Sequence, residues 1–240
     1  MLKINHLTKI YKGNKKAVSD LSIHVEPGDI YGFIGHNGAG KTSAIKCIVG
    51  IQDFNEGEIF VNGFSVKKDS LKCKESFAYI PDNPDLYGYL TGIQYLNFIA
   101  DVFQIPAKER TERIQKEAED FDMVSALGDL ISSYSHGMRQ KLAIIGAFIH
   151  KPKLMILDEP FVGLDPQASV ILKQKMHALC EEGSAIFFST HVLDVAEKLC
   201  NKAAIIRNGE LIASGKIEEL TRGDSLESVF MEVMGNDSTD

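Results

Sequence analysis

One eight-residue run constrains the fold of this chain more than any other feature. Residues 35–42 are Gly-His-Asn-Gly-Ala-Gly-Lys-Thr, which matches the pattern G-x-x-x-x-G-K-[ST]. An apolar run, Ile30–Ile34, precedes this segment, and a stretch with helical spacing, 42–49, follows it. Glycines let backbone N–H groups turn around phosphate oxygens, and a helix N-terminus favours negative charge. The run therefore predicts a strand, a phosphate-binding loop and a helix in succession.

The residues of this loop have distinct expected tasks. The Lys41 ammonium reaches the terminal phosphates of a nucleotide, and the Thr42 hydroxyl binds Mg²⁺. The residues expected to contact the nucleotide here are Gly35, His36, Asn37, Gly38, Ala39, Gly40, Lys41, Thr42 and Ser43.

A second motif consists of two acids at the end of an apolar run. Residues 154–157 are Leu-Met-Ile-Leu, and Asp158 and Glu159 follow directly. Such a pattern is more often a plain strand end, but the phosphate loop in the same chain favours a catalytic site. A carboxylate at the carboxyl edge of a parallel sheet can meet the metal of a bound phosphate, which suits Asp158. Glu159 is then placed to polarise the water that attacks the γ-phosphate.

A third motif lies between these two, where Ser135 and Gly137 precede a helical stretch. Ser135 is a good helix N-cap, and the same helix start can bind a phosphate. Because the chain has one obvious phosphate loop, a second copy would have to supply that phosphate.

Composition excludes several other classes. The chain has 26 Lys and Arg against 33 Asp and Glu, a net charge of −7, which argues against a dedicated nucleic-acid binder. The start lacks the apolar stretch of a signal peptide, and no window approaches the roughly 18 apolar residues of a spanning helix. We therefore expect a cytoplasmic protein. The four cysteines form no C-x-x-C pair, so neither a zinc site nor a disulfide framework is indicated.

The pattern along the chain predicts an α/β fold. Strand-like alternation fills the first 35 residues, and Asn-Gly pairs at 62–63 and 208–209 predict hairpins. The period is helical from about 91 to 150, and short apolar strands then alternate with helices, which is typical of a parallel sheet. We predict one domain, 1–240, with a P-loop core of mixed sheet and an antiparallel β lobe over 1–83 and 151–240. An α-helical subdomain over 84–150 is inserted, and 235–240 are expected to form a frayed tail.

These motifs, in this order, resemble the ATP-binding-cassette (ABC) ATPases. Residues 35–42 resemble the Walker A loop, 154–159 the Walker B strand, 135–140 the signature and 163–165 the D-loop. His191 resembles the switch histidine, Tyr11 the aromatic that stacks on adenine, and Asp82 takes the place of the Q-loop glutamine. The signature also departs from the family pattern, with Tyr134, His136 and Met138 at positions usually occupied by other residues.

The resemblance implies an ATPase that uses ATP and Mg²⁺ and closes as a head-to-tail dimer. Its implied catalytic residues are Glu159, His191, Lys41 and Asp82. Its implied metal-binding residues are Thr42, Asp82 and Asp158. Tyr11 would contact adenine, and Ser135 and Gly137 would contact the nucleotide of the other copy, which is either identical or related.

Residues 224–233 resemble the closing segment of subunits that power exporters with separate membrane proteins, and 81–96 indicate the same. The implied partner is an integral-membrane permease, which would hold the chain on the inner face of the cell membrane. The cargo is left open. The alternative is a soluble regulatory or ribosome-associated ABC ATPase, although those usually have two cassettes in one chain. A DNA-maintenance ATPase and a small-molecule kinase explain the motifs less well.

Overall fold

The computed structural model describes residues 1–235, with side chains through residue 233. The predicted frayed tail thus lies outside the described residues, except for Gly235, which ends the last helix. The strands are β1 (Leu2–Tyr11), β2 (Lys15–Val25), β3 (Ile30–Ile34), β4 (Glu56–Val61), β5 (Phe64–Ser65), β6 (Phe77–Ile80), β7 (Leu154–Asp158), β8 (Ala185–Thr190), β9 (Lys202–Arg207) and β10 (Glu210–Lys216). The helices are α1 (Lys41–Ile48), α2 (Ser70–Ser76), α3 (Gly92–Val102), α4 (Ala107–Asp120), α5 (His136–Ile149), α6 (Pro166–Glu181), α7 (Leu193–Leu199), α8 (Ile217–Thr221) and α9 (Leu226–Gly235).

The strands described form one mixed sheet in the order β5-β4-β1-β2-β10-β9-β3-β8-β7-β6. At one end, β1 pairs antiparallel with both β2 and β4. At the other end β9, β3, β8, β7 and β6 are all parallel. The hairpin strand β10 joins the two parts, antiparallel to β9 and parallel to β2 at the pair Glu210 and Ser19. The predicted α/β class with a mixed sheet is confirmed.

The central strands are buried on both faces, as continuous apolar runs predict. In β3, Ile30 and Ile34 face the core that contains the helices of 92–149, whereas Tyr31 and Phe33 face the core that contains α1 and the antiparallel strands. The same alternation continues in β7, β8 and β9. This two-sided burial fixes the register of the strands that carry the motifs.

Parallel pairing brings the motifs to one edge of the sheet. Strands β3, β8, β7 and β6 run in the same direction, with Ile34 beside Thr190 and Asp158 beside Ser189. Their carboxyl ends therefore meet, and the segments that follow them contain the phosphate loop, His191, Glu159 and Asp82.

Helices α3, α4 and α5 lie between β6 and β7 in the chain. Thr91 begins α3 with a reciprocal capping box with Gln94. The Ser135 hydroxyl accepts a hydrogen bond from the Met138 amide at 3.2 Å, so the predicted N-cap of α5 is present. At the other end of α5, the His150 ring stacks on Phe103 with 3.7 Å between ring centroids. Burial lowers the pKa of His150 to about 4.

All four cysteines of the sequence are free and buried. Burial raises the pKa of the Cys47 thiol to about 11 and of the Cys180 thiol to about 12. Burial also raises the pKa of Cys73 and Cys200. Over residues 1–235, none of the helices is both long and apolar enough to span a bilayer.

Candidate nucleotide-binding site

The loop between β3 and α1 needs glycine at its tightest points. Gly38 and Gly40 have φ angles of 84° and 110°, which side chains rarely tolerate. A Cβ at Gly40 would lie 2.3 Å from the carbonyl oxygen of Ala17 in β2, so the loop and β2 are in close contact. From the β9–β10 hairpin, the Gly209 amide donates to the Ala39 carbonyl at 2.8 Å. Backbone contacts therefore hold the loop from two sides.

Lys41 is buried, and its ammonium group turns back into this loop. Its Nζ donates to the carbonyl oxygens of Gly35 at 2.5 Å and His36 at 3.4 Å. The same nitrogen lies 3.3 Å from Oε1 of Glu159, whose side chain is 15% exposed. A buried cation at the start of a helix, surrounded by acceptors, is suited to exchange one of them for a phosphate oxygen.

Glu159 occupies an unusual backbone conformation at the end of β7. Its φ angle is 49°, in the left-handed region, where a non-glycine residue stores local strain. Its amide donates to the Ser189 carbonyl at 3.3 Å and to the Ser189 hydroxyl at 3.1 Å. The carboxylate then lies between two nitrogens, with Oε2 3.0 Å from Nδ1 of His191 and Oε1 facing Lys41.

Asp158 is almost fully buried, with only 1% of the residue exposed. Its Oδ1 accepts a hydrogen bond from the Ser189 hydroxyl. Its Oδ2 has no hydrogen-bond partner among the residues that the structure describes. Burial raises the pKa of Asp158, and interactions with the Ser189 and Thr42 side chains oppose that shift. A buried carboxylate oxygen without a donor is suited to a cation or a donor supplied by a ligand.

These groups line a cleft of about 720 Å³. The expected site residues that line it are Tyr11, His36, Asn37, Gly38, Gly40, Lys41, Thr42, Ser43, Asp82, Asp158 and Glu159. His191 joins the cleft through its contact with Glu159. Tyr11 is partly exposed, and its hydroxyl donates to Gln52 Oε1 at 2.6 Å and lies 3.2 Å from the Ser43 hydroxyl.

Besides His191, four of the expected site residues do not line the cleft. The amides of Gly35 and Ala39 donate to the carbonyls of Thr190 and His36, and neither residue lines the cleft. Ser135 and Gly137, at the start of α5, also do not line it. A Cβ at Gly137 would lie 2.8 Å from the carbonyl oxygen of Gly163, so this helix start packs on the segment after β7.

Four cleft residues were missed by sequence reasoning: Lys15, Lys16, Ala17 and Asn208. Lys15, Lys16 and Ala17 line the cleft because the phosphate loop packs against β2. Asn208 belongs to the Asn-Gly hairpin, whose turn was predicted but not its position beside the loop. The Asn-Gly pair signals the turn, whereas its place beside the loop depends on pairing between distant segments.

The fold and the cleft are typical of proteins that bind nucleotides through a phosphate loop. Comparison with known proteins narrows this class: residues 18–162 match the family model described as ABC transporter. The chain is 34% identical over 243 residues to the ABC-type transporter ATP-binding protein EcsA of Bacillus subtilis (strain 168), covering 99% of this chain and 98% of EcsA. It is 38% identical over 207 residues to the ABC transporter ATP-binding protein YdbJ of the same organism, covering 86% of this chain and 66% of YdbJ.

A solved structure described as an ATP binding subunit of an ABC transporter superposes with a TM-score of 0.94 and 33% identity. The superposition covers 98% of this chain and 99% of that one. The chain therefore belongs to the ABC transporter family, as an ATP-binding ATPase subunit. Members of this type dimerise and work with membrane permeases.

Proposed function

We propose that this chain hydrolyses ATP to power a membrane exporter, by MgATP-driven closure of a head-to-tail dimer. The observation that carries the proposal is the position of the Glu159 carboxylate. It lies 3.3 Å from Lys41 and 3.0 Å from His191, at the edge of the sheet where the phosphate loop begins. A partly dehydrated carboxylate next to a phosphate loop is a competent general base for attack by water.

Each residue then has a role that follows from its position. When nucleotide binds, the Lys41 ammonium leaves the Glu159 carboxylate and contacts the terminal phosphates. The Glu159 carboxylate is then free to accept a proton from water. His191, on the other side of Glu159, orients the carboxylate. Tyr11, at the cleft wall, supports adenine through its ring face. The barrier falls through positioning and charge neutralisation, without a covalent intermediate.

The residues present fit a magnesium ion. The unpartnered Oδ2 of Asp158, the Thr42 hydroxyl and the Asp82 carboxylate all border the cleft. In residues 1–235, no three His, Cys, Asp or Glu side chains cluster as a metal site. Mg²⁺ commonly uses one or two carboxylates together with substrate phosphates. When bound, the ion would neutralise charge on the phosphates.

The dimer follows from the position of the signature. Ser135 caps α5 and Gly137 lies in its first turn, both outside the cleft of their own chain. A helix start offers N–H groups to an anion. In a head-to-tail pair Ser135 and Gly137 contact the nucleotide of the other copy, so ATP joins the two subunits. Differential affinity of ATP for the closed pair then drives the motion.

The transport direction is proposed from the two segments that resemble exporter subunits. Residues 224–233, which include most of α9, resemble the end of such subunits. Residues 81–96, which include Asp82, directly follow β6. The permease partner places the chain on the inner face of the cell membrane. Asp82 adds a negative charge where the family usually has glutamine.

Affinity capture tests the partner. Tagged Glu159→Gln protein is captured from detergent-solubilised native membranes with and without MgATP, and co-purifying proteins are identified by mass spectrometry. We expect a multi-span protein in stoichiometric amount. Glu181→Gln, which changes an exposed carboxylate on α6, is the matched control. Recovery of only soluble partners or ribosomes would contradict the role in transport and favour a regulatory ATPase.

The direction needs a second experiment. Inside-out vesicles of the native membrane are energised with ATP, and their contents are compared by untargeted mass spectrometry. An exporter should accumulate its cargo in vesicles from wild-type cells, and vesicles with the Lys41→Ala protein should not. ATP-dependent depletion of a solute from the wild-type vesicles would instead indicate import.

A further inference from the structure

The last helix, α9, contacts the phosphate loop through one aromatic pair. The ring centroids of Phe230 and His36 lie 4.9 Å apart, with 69° between the ring planes, which is an edge-to-face arrangement. Phe230 is buried, whereas His36 is exposed and lines the nucleotide cleft. The carbonyl oxygen of His36 also faces the Lys41 ammonium at 3.4 Å. The pair therefore links α9 to the part of the loop that surrounds Lys41.

Helix α9 is itself held at both ends. At its start, the Leu226 amide donates to Oε2 of Glu197, in α7, at 2.8 Å. Near its other end, the Arg207 guanidinium donates to the Val233 carbonyl at 2.8 Å. Arg207 is the last residue of β9, the parallel neighbour of β3. Phe230 is thus presented to the loop by a helix that is fixed to the sheet and to α7.

The loop needs such support in its first half. His36, Asn37 and Gly38 are all exposed, and Gly38 has a positive φ angle. In contrast, Gly40 and Ala39 are held by close contacts with Ala17 and Gly209. An exposed segment with little burial has low local stability. A loop that must be ordered when nucleotide binds has lower affinity than one that is already ordered.

We propose that Phe230 is a positioning residue for the phosphate loop, which holds His36 so that the loop is preformed for nucleotide phosphates. The inference rests on the proposed nucleotide binding at 35–42. Phe230 acts on affinity and residence time rather than on the hydrolysis step, because the Glu159 backbone is held by Ser189 and its carboxylate contacts His191, and neither of these residues belongs to the phosphate loop. Helix α9 then links β9 and α7 to nucleotide exchange.

The test measures binding and turnover separately. The dissociation constant and dissociation rate of fluorescent mant-ADP are measured for the wild type and for Phe230→Leu, which fills the site without a ring. We expect the dissociation constant to rise about three- to tenfold, the size of an aromatic pair, mostly through faster release. The turnover number at saturating ATP should stay within about twofold, and KM should rise. Phe230→Tyr, which keeps the ring, should restore wild-type affinity.

Two controls separate positioning from general damage. Val229→Ala truncates the neighbouring residue of α9, which packs on the core, and should leave mant-ADP affinity unchanged. His36→Ala should weaken binding, and Phe230→Leu should add nothing in that background, because the pair acts as one unit.

Three results have distinct meanings. Wild-type affinity in Phe230→Leu, or an equal loss in Val229→Ala, would overturn the positioning role. Additive losses in the double variant would show that Phe230 does not act through His36, which also overturns it. Failure of the wild type to bind mant-ADP would instead contradict the proposed nucleotide site.

Discussion

Glu159 has a strained backbone conformation and a largely buried side chain, and its carboxylate contacts Lys41 and His191. Its left-handed backbone costs on the order of 1–3 kcal/mol, which the rest of the structure must offset. The two hydrogen bonds from its amide to Ser189 hold that conformation. Strained residues of this kind cluster at active sites, where the strain aims a side chain. Here it directs the carboxylate towards Lys41 and His191.

The first prediction concerns this carboxylate. Glu159→Gln keeps the shape of the side chain but removes the proton acceptor, so steady-state phosphate release should fall by about 10²- to 10⁴-fold. ATP binding should persist. Phosphate release by a coupled assay and nucleotide binding by fluorescence provide the two measurements, with Glu181→Gln as the control. Normal hydrolysis in Glu159→Gln would exclude the role of general base.

The second prediction concerns Lys41. Lys41→Ala removes the cation from the phosphate loop and leaves the Glu159 carboxylate without its neighbour at 3.3 Å. Nucleotide affinity should fall by at least about tenfold, because charge-assisted hydrogen bonds to phosphate are lost. Titration calorimetry with ATP measures this loss. Lys3→Ala, at an exposed position on β1, is the matched control, and equal affinity in both variants would contradict the prediction.

At the same scale, sequence reasoning identified the residues of local motifs and missed those supplied by distant segments. Lys41, Asp158 and Glu159 each lie in a short contiguous motif that can be recognised without knowledge of the rest of the chain. Lys15, Asn208 and the Phe230 contact have no such pattern. Their positions depend on which strands and helices become neighbours, and that is decided by pairing over the whole chain.

Among the elements, those with a strong period or a turn signal were predicted well. The predicted strand Ile30–Ile34 is β3, and the predicted hairpins at Asn62 and Asn208 are β4–β5 and β9–β10. Helices α2 and α8, of seven and five residues, were missed. The parallel contact between β10 and β2 was also missed, since one bridging pair leaves no sequence pattern.

A third prediction belongs to the contact between α3 and α5. Burial lowers the pKa of His150 from 6.5 to about 4. Between these values the unfolded chain binds a proton that the folded chain does not. The free energy of unfolding therefore falls as the pH drops from 6.5 to 4. The contribution is up to about 3 kcal/mol at one residue.

His150→Phe isolates this effect, because it keeps a ring beside Phe103 but cannot titrate. Urea unfolding at several pH values should show that the wild type loses more stability than the variant over this interval. Their difference should be constant above pH 6.5. Parallel curves from pH 6.5 to pH 4 would contradict the assignment.

For the molecule as a whole, the fourth prediction is nucleotide-dependent dimerisation. Glu159→Gln protein should elute as a dimer with MgATP and as a monomer without it, measured by size-exclusion chromatography with light scattering. Ser135→Asp keeps an N-cap for α5 but places a negative charge where the other copy's phosphate would bind. We expect this change to abolish the dimer of Glu159→Gln.

Ser70→Asp provides the control, because it adds the same charge at an exposed helix start. It should leave the dimer intact. A MgATP dimer that survives Ser135→Asp would exclude the head-to-tail arrangement through the signature. Dimers that form equally without nucleotide would exclude closure by ATP.

Because all four cysteines are buried, this chain is well suited to site-specific labelling for spectroscopy. Alkylating dyes attack thiolates, and buried thiols with raised pKa values react only when the structure opens. One cysteine introduced at an exposed position, such as Lys198, would therefore be the fast-reacting thiol of an otherwise native sequence. Fluorophores or spin labels at such sites would follow the approach of two subunits without removal of native cysteines.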